Sequence, residues 1–314
     1  MKDAYHQFCQ QNKDLPIFFQ DWYLDAVCKE GTWESAIIQK NKQVVGILPY
    51  YLKKKGPFTY ITMPPLTKMM GPYITTSYRK EPHFTKICKA LIEQLPKVAY
   101  YEQLFSYQIT NWLPFYWKNF QQTTRYSYLL DITDLEGVYA NFSADYRNNK
   151  IKKAKQLVSI VKNFPLKDLY EVNKMSFDRQ GIAIPYSFNF LTHLDKTLST
   201  HQAKASFFAV DAQQQIHAVA YLIWDKERAY YLLAGDNPLL RNSGASTLLV
   251  WEMIQFAKEE LGVKSFDFQG SMLASIERVR RQFGAQQKSY FLIQQHRSKT
   301  FKYISTLKGR LFGK

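Results

Sequence analysis

The second half of this 314-residue chain repeats the order of elements found in its first half, and that repetition restricts the fold more than any local motif does. Ala205 to Asp211 and Ile216 to Trp224 read as strands around the turn Ala212-Gln213-Gln214-Gln215, with a third strand at Ala229 to Ala234. A long amphipathic helix follows from about Ser243 to Leu261. A short strand at Lys264 to Phe268, a helix near Ser275 to Gln282 and a last strand at Gln286 to Gln295 complete the set. The first half offers Trp33 to Lys40 and Gln43 to Lys53 around Asn41-Lys42, Phe58 to Met63 as third strand and Lys80 to Leu95 as the helix. Ala99 to Phe105, Trp112 to Phe120 and Gln122 to Asp131 then supply strand, helix and strand. The pattern predicts two α/β (α+β) domains of one kind, each a mixed twisted sheet flanked by helices, packed side by side with a cleft between them. The expected divisions are 1–134 and 135–295 for the two domains and 296–314 for a basic tail helix.

An apolar fraction of 46% with 22 Tyr and 22 Phe gives both halves enough material for a core and argues against disorder. No apolar run approaches the ~18 residues a membrane span needs, and Met1 to Lys13 is polar without a signal-like apolar stretch. A cytoplasmic, soluble protein is expected. Cys9, Cys28 and Cys88 form no CxxC pair and no metal-like spacing with histidine, which predicts buried or incidental thiols, no disulfide and no metal.

The net charge of +16 is concentrated. Arg147 to Lys167 holds seven Lys/Arg and no acid, and His296 to Lys314 holds six and no acid; elsewhere 29 bases face 26 acids. Two local segments, not the whole surface, therefore need explaining, either as solvated helix faces or as sites for a polyanion such as nucleic acid, anionic lipid or a phosphorylated substrate. In the first segment Ser143 can cap a helix, and Ile151, Ala154, Leu157 and Val158 form its expected buried stripe. Arg147, Lys150, Lys152, Lys153 and Lys155 crowd its other faces and repel one another unless something neutralises them. In the second, Phe301, Ile304, Leu307 and Leu311 alternate with Lys299, Lys302, Lys308 and Arg310. That helix can dock on the body of the protein or lie on an anionic membrane at its inner face.

Elsewhere, Asp14 to Cys28 reads as a helix, and Met63-Pro64-Pro65-Leu66-Thr67 with Gly71-Pro72-Tyr73 as a shaped, rigid loop. Arg241-Asn242-Ser243-Gly244-Ala245-Ser246 lies between a strand and a long helix. Unpaired N–H groups at such a helix start, small residues that leave the backbone accessible, hydroxyls and one guanidinium make a natural anion site.

At this loop the chain resembles the Gcn5-related N-acetyltransferase (GNAT) superfamily, whose pyrophosphate loop reads Arg/Gln-x-x-Gly-x-Gly/Ala, with Ser246 here in the last place. The tandem arrangement is similar to the branch of FemABX peptidyltransferases and single-chain CelD/BioF2-like acetyltransferases. The Pro64 to Tyr73 loop, the basic helix and strand at Arg147 to Val161, Phe266-Asp267-Phe268-Gln269-Gly270-Ser271, Ile276-Glu277-Arg278 and Phe283-Gly284-Ala285 carry that similarity.

The resemblance implies transfer of an acyl group from acetyl-CoA or another acyl-CoA to an amine bound in the inter-domain cleft, in cell-envelope or polysaccharide metabolism. A second reading is a FemABX-type transfer from aminoacyl-tRNA to a peptidoglycan precursor, which would use both basic segments. A third is a non-catalytic module that binds anionic lipid or polysaccharide precursors. The superfamily's usual glutamate and tyrosine are absent from Ala229 to Ala234 and Ser275 to Gln282 respectively. Asp236 and Asp267 are the candidate bases, and Tyr231 and Ser271 can position substrate or relay a proton. Structural roles compete: Asp236-Asn237-Pro238 is a good turn, and Asp267 can pair with Arg278 or Arg281.

Overall fold

Alternating strands joined by short polar turns require hairpins, and the first turn shows how: Asn41 and Lys42 take φ of +50° and +64°, the left-handed pair a two-residue hairpin turn needs. The computed structural model describes residues 2–270 and 272–303. Its elements in chain order are α1 (Lys2–Gln11), α2 (Asp21–Val27), β1 (Thr32–Lys40), β2 (Gln43–Lys55), β3 (Phe58–Thr62), β4 (Tyr73–Ile74), α3 (His83–Glu93), β5 (Tyr100–Leu104), α4 (Leu113–Tyr116) and β6 (Gln121–Asp131). They continue with α5 (Leu135–Ala140), a π-helical stretch (Tyr146–Ile151) running into α6 (Lys152–Leu157), β7 (Ser159–Lys162), α7 (Leu166–Asp178), α8 (Phe188–Thr200) and β8 (Lys204–Val210). The last are β9 (Ile216–Trp224), β10 (Arg228–Asp236), α9 (Ala245–Glu259), β11 (Ser265–Asp267), α10 (Ala274–Gln282) and β12 (Gln286–His296).

The chain divides into two units, one built from the chain up to Arg125 with the stretch from Ser289 onward, the other from Tyr126–Lys288. In the first, β1, β2 and β3 form an antiparallel meander, β3 pairs parallel with β5, and β5 pairs antiparallel with β12. In the second, β8, β9 and β10 form the meander, β10 pairs parallel with β11, and β11 pairs antiparallel with β6. The duplication legible in the sequence is thus present strand for strand, and α3 and α9 make equivalent crossovers between the parallel strands. The closing strands, however, are exchanged. Residues 129–131 of β6, which follow the first set of elements in the chain, pair in the second unit; residues 292–296 of β12, which follow the second set, pair in the first.

Each unit buries its own core. Ile61, Ile87, Leu91, Tyr101, Phe105, Phe115 and Ile293 form the centre of one, and Leu222, Ala229, Leu248, Met253, Ile254, Phe266 and Phe268 that of the other. Nine residues of α9 are buried, including Leu248, Leu249, Met253 and Ile254, which is why this helix reads as the most apolar in the chain. Among the described residues no helix is long and apolar enough to cross a membrane. All three cysteines are buried, and burial pushes the thiols of Cys9 and Cys88 up to about 12.

Two local expectations are corrected, and two segments gain detail. Asp14 to Cys28 is a 3₁₀ turn at Ile17–Phe19 followed by α2, because Pro16 starts the turn and Gln20 is extended between the two. The polar N-terminus carries helix α1, whose Tyr5, Phe8 and Cys9 at three- and four-residue spacing are its buried stripe. Leu157 is 45% exposed and so leaves the buried face, which Ile151, Ala154 and Val158 hold. Of the tail, Phe301 is buried against the rings of Phe58, Tyr60 and Tyr100, while Ile304, Leu307 and Leu311 lie outside the described residues.

Tyr5, Tyr101 and Tyr230 are fully buried phenols held well above their ordinary pKa by desolvation. Above a pH of about 10 the unfolded chain releases these protons and the folded one keeps them, so stability falls as pH rises further. Spectrophotometric titration at alkaline pH should show these tyrosines ionising together with loss of near-ultraviolet dichroism; ionisation with the fold intact would contradict their burial.

Candidate active site

The parallel strands β10 and β11 pair only from Arg228 to Tyr230 against Ser265 to Asp267, after which β10 continues alone to Asp236. On its other side β10 shifts register against β9 between Tyr231 and Leu233, so Leu232 is the extra residue of a bulge. The two strands therefore part at Tyr231. A cleft of about 710 Å³ opens there, and every residue lining it belongs to the second unit.

The loop Arg241 to Ser246 forms one wall. Arg241–Ser243 make a 3₁₀ turn, Gly244 follows at φ +79°, and α9 begins at Ala245. A Cβ on Gly244 would lie 2.4 Å from the Lys150 carbonyl oxygen, so glycine is required here both by conformation and by contact with the π-helical stretch. The Ser243 hydroxyl accepts from Ala245 N, and Lys153 Nζ donates to Asn242 O at 2.7 Å, tying the loop to the basic segment. Ser246 is exposed on the cleft at the start of α9; beside it Ala245 N donates to the Ser243 hydroxyl and Thr247 N to the Gly244 carbonyl, so the N–H and hydroxyl of Ser246 are what this turn offers an anion. Of the predicted anion-site residues, Arg241, Asn242, Gly244 and Ser246 line the cleft, whereas Ser243 and Ala245 are buried behind it.

Of the basic-helix residues, Lys150 lines the cleft, with its ammonium over the Tyr146 ring at 4.6 Å. Arg147 is half-buried away from the lining, and Lys152, Lys153 and Lys155 are exposed on α6. The cleft also gathers two cations that sequence reasoning missed, Arg179 just past α7 and Arg280 on α10. Arg280 lies 4.8 Å from the Tyr231 ring and 4.9 Å from the Phe268 ring. Burial lowers its pKa, and the phenols of Tyr231 and Tyr146 oppose that shift. Four cations thus face one carboxylate, Asp236, among the described lining residues. Arg280 had a signal in the four- and three-residue spacing of Ile276, Arg280 and Phe283, all of which line the cleft. Arg179 had none, since its partner Asp236 is 57 residues away.

The candidate catalytic residues separate. Asp236 accepts from Arg179 at 3.2 Å, from Arg241 at 2.5 Å and from Ser176 at 3.3 Å, which makes it the clasp of this wall of the cleft. Asp267 is fully buried, does not line the cleft, and accepts from Ser127 Oγ at 2.9 Å and Gln269 N at 2.7 Å. Arg228 lies 3.9 Å from its carboxylate, and Arg281 pairs with Glu277. Tyr231 lines the cleft at the point where the strands part; burial raises its pKa and Arg280 partly offsets this, so the phenol is protonated at neutral pH. Ser271 lies outside the described residues. Behind the site, Asn173 donates to the Ala234 carbonyl and accepts from Tyr186, while the backbone of Asn173 lies where a Cβ on Gly235 would fall, so α7 fixes the end of β10. Among the described residues no group of three or more His, Cys, Asp or Glu could hold a metal.

A parallel strand pair thus parts over a cationic cleft with a helix N-terminus at its mouth. The acetyltransferase (GNAT) domain family model matches residues 148–286, which contain this cleft apart from Tyr146. FemX aligns over 87% of this chain and 90% of its own at a TM-score of 0.66 and 12% identity. L-PGS from Bacillus licheniformis aligns over 100% and 97% at 0.57 and 11%. A tandem GNAT protein from the clavulanic acid biosynthesis pathway, solved without AcCoA, aligns over 88% and 86% at 0.51 and 10%. No curated protein sequence matches the chain. Residues 148–286 thus match a GNAT domain, and the chain shares the overall fold of FemX and of a tandem GNAT protein.

If Tyr231 meets the reacting groups, Tyr231→Phe should leave the melting temperature within a few degrees and lower turnover about tenfold or more, the range of one positioned proton donor. Steady-state kinetics on the folded variant decide this; unchanged turnover would reduce Tyr231 to a packing residue.

Proposed function

We propose that this protein transfers an acyl group from a CoA thioester to an amine. The observation that carries the proposal is the join of an anion-binding helix start, Arg241 to Ser246 with Lys150, to the point where β10 and β11 part beside Tyr231. The helix N-terminus and cations hold the donor's phosphates. Backbone N–H groups at the parted strands polarise the acyl carbonyl. The amine nitrogen attacks the carbonyl carbon, the carbon–sulfur bond breaks, and Tyr231 gives its proton to the leaving thiolate. Asp236, held between Arg179 and Arg241, takes the proton that the nitrogen sheds as its bond to the carbonyl carbon forms and releases it to solvent, from which Tyr231 is reprotonated. Much of the rate then comes from positioning. An acceptor of cell-envelope or polysaccharide metabolism, in the cytoplasm, belongs to the same reading.

A second reading, transfer from aminoacyl-tRNA, is favoured by one observation: Lys152, Lys153 and Lys155 continue the cationic wall away from Lys150 on the exposed face of α6. Calorimetric titration with acetyl-CoA and with aminoacyl-tRNA, each at low and moderate salt, separates the two. Saturable acetyl-CoA binding supports the first reading. Binding of tRNA alone, falling steeply with salt and on neutralising Lys150, Lys152 and Lys153, supports the second. Silence from both donors would turn the assignment to a non-catalytic lipid or polysaccharide module.

A further inference from the structure

The cleft has an apolar rim that acyl transfer does not use. Because β10 and β11 run parallel, the connections that leave their C-terminal ends emerge at the same end of the sheet. The connection after β10 carries Leu239, 91% exposed, between the cleft residues Asp236 and Arg241. The one after β11 carries Met272 and Leu273, 52% and 55% exposed, leading into the α10 residues that line the opposite wall. The end of α7 reaches the same place through the Arg179 to Asp236 ion pair, and three residues further on Ile182 is 43% exposed. Three separate connections thus put large apolar side chains around an opening lined by Lys150, Arg179, Arg241 and Arg280.

Scattered exposed apolar residues need no explanation, but a ring of them around a cationic opening does. A bilayer rich in anionic phospholipid presents both complementary chemistries at once, negative headgroups at the surface and acyl chains just beneath. We propose that this rim docks the second unit on an anionic phospholipid membrane, with Leu239, Met272 and Leu273 entering the interface and the positive field of the cationic opening drawing the anionic surface to it. The acceptor amine would then be presented from that surface. The inference rests on the acyl-transfer reading only for what reacts there, not for the docking itself.

Sedimentation of the full-length protein with phosphatidylglycerol-containing vesicles and with pure phosphatidylcholine vesicles tests the docking. The protein should co-sediment with the former and not with the latter. The combined Leu239→Ser, Met272→Ser and Leu273→Ser variant should bind about tenfold more weakly or worse, each side chain losing part of its apolar transfer. Leu239→Trp, which needs no loss of fold to be informative, should bind more tightly. Leu307→Ser with Leu311→Ser in the tail should leave most of the binding. Indifference of the protein to anionic vesicles, unchanged binding by the rim variant, or loss of binding through the tail variant alone would each overturn the proposal. Acetyl-CoA titration of the parent protein, set beside its vesicle binding, keeps the two ideas apart. Donor binding without vesicle binding removes only the docking, and vesicle binding without donor binding removes only the donor assignment.

Discussion

If the donor binds at the start of α9, Ser246→Glu is expected to weaken acetyl-CoA binding severely and to leave the melting temperature at or slightly above that of the parent protein. Ser246 is exposed in the first turn of α9 and lines the cleft, so a longer side chain there meets no packed neighbour. A carboxylate at that position suits the helix dipole and stabilises the helix by about 0.3–1 kcal/mol. It also removes the hydroxyl and occupies the N–H that the donor's phosphates would use, and opposes them with negative charge. Losing two charge-assisted hydrogen bonds at about 1.5–3 kcal/mol each weakens binding by about a hundredfold or more. Calorimetry and thermal melting on one sample read both effects. Acetyl-CoA binding that survives the substitution would place the donor elsewhere in the cleft. Gly244 is a poorer place for the same test, since any side chain there strikes the Lys150 carbonyl and displaces the wall itself.

Asp267→Ala is expected to cost about 3 kcal/mol of stability, because it leaves the Ser127 hydroxyl and the Gln269 N–H without their acceptor in a site that excludes water. For a unit of this size that corresponds to a fall of about 6–12 °C in melting temperature. The same change tests whether Asp267 is a base. A catalytic role predicts lost turnover at an unchanged melting temperature, and a structural role predicts the reverse at temperatures where the variant is folded. The carboxylate holds β11 to β6 just before β10 and β11 part, so its work is to fix the start of the opening. Full burial and absence from the cleft lining favour the structural outcome.

The two aspartates show where sequence reasoning stops. In the sequence they look alike, each at or just beyond the end of a strand next to the anion loop or the closing helix. Their difference lies in what faces them: Arg179 is 57 residues from Asp236, and Ser127 is 140 residues from Asp267. Neither distance leaves a trace in local periodicity. Arg280 stood closer to being legible, since it follows Ile276 and precedes Phe283 on one face of α10. Charge alone gave it no precedence over Arg278 and Arg281 beside it.

Local pattern was enough for the rest. Period-two alternation and polar turns located the meanders, the apolar length of α9 located the crossover helix, and the repetition of that order pointed to two α/β units of one kind. Glycine with small polar residues before α9 located one wall of the cleft, because backbone geometry at a helix start is a property of neighbouring residues. Tertiary structure alone decided the exchange of β6 and β12, whose edges carry similar alternation and could pair with either β5 or β11 on local grounds. It alone decided which four cations converge and which carboxylate withdraws into the core. Strand partnership and charge convergence are long-range choices, settled by which buried surfaces and ion pairs the whole chain can satisfy together, and residues far apart in sequence carry no mutual signal until the fold brings them into contact.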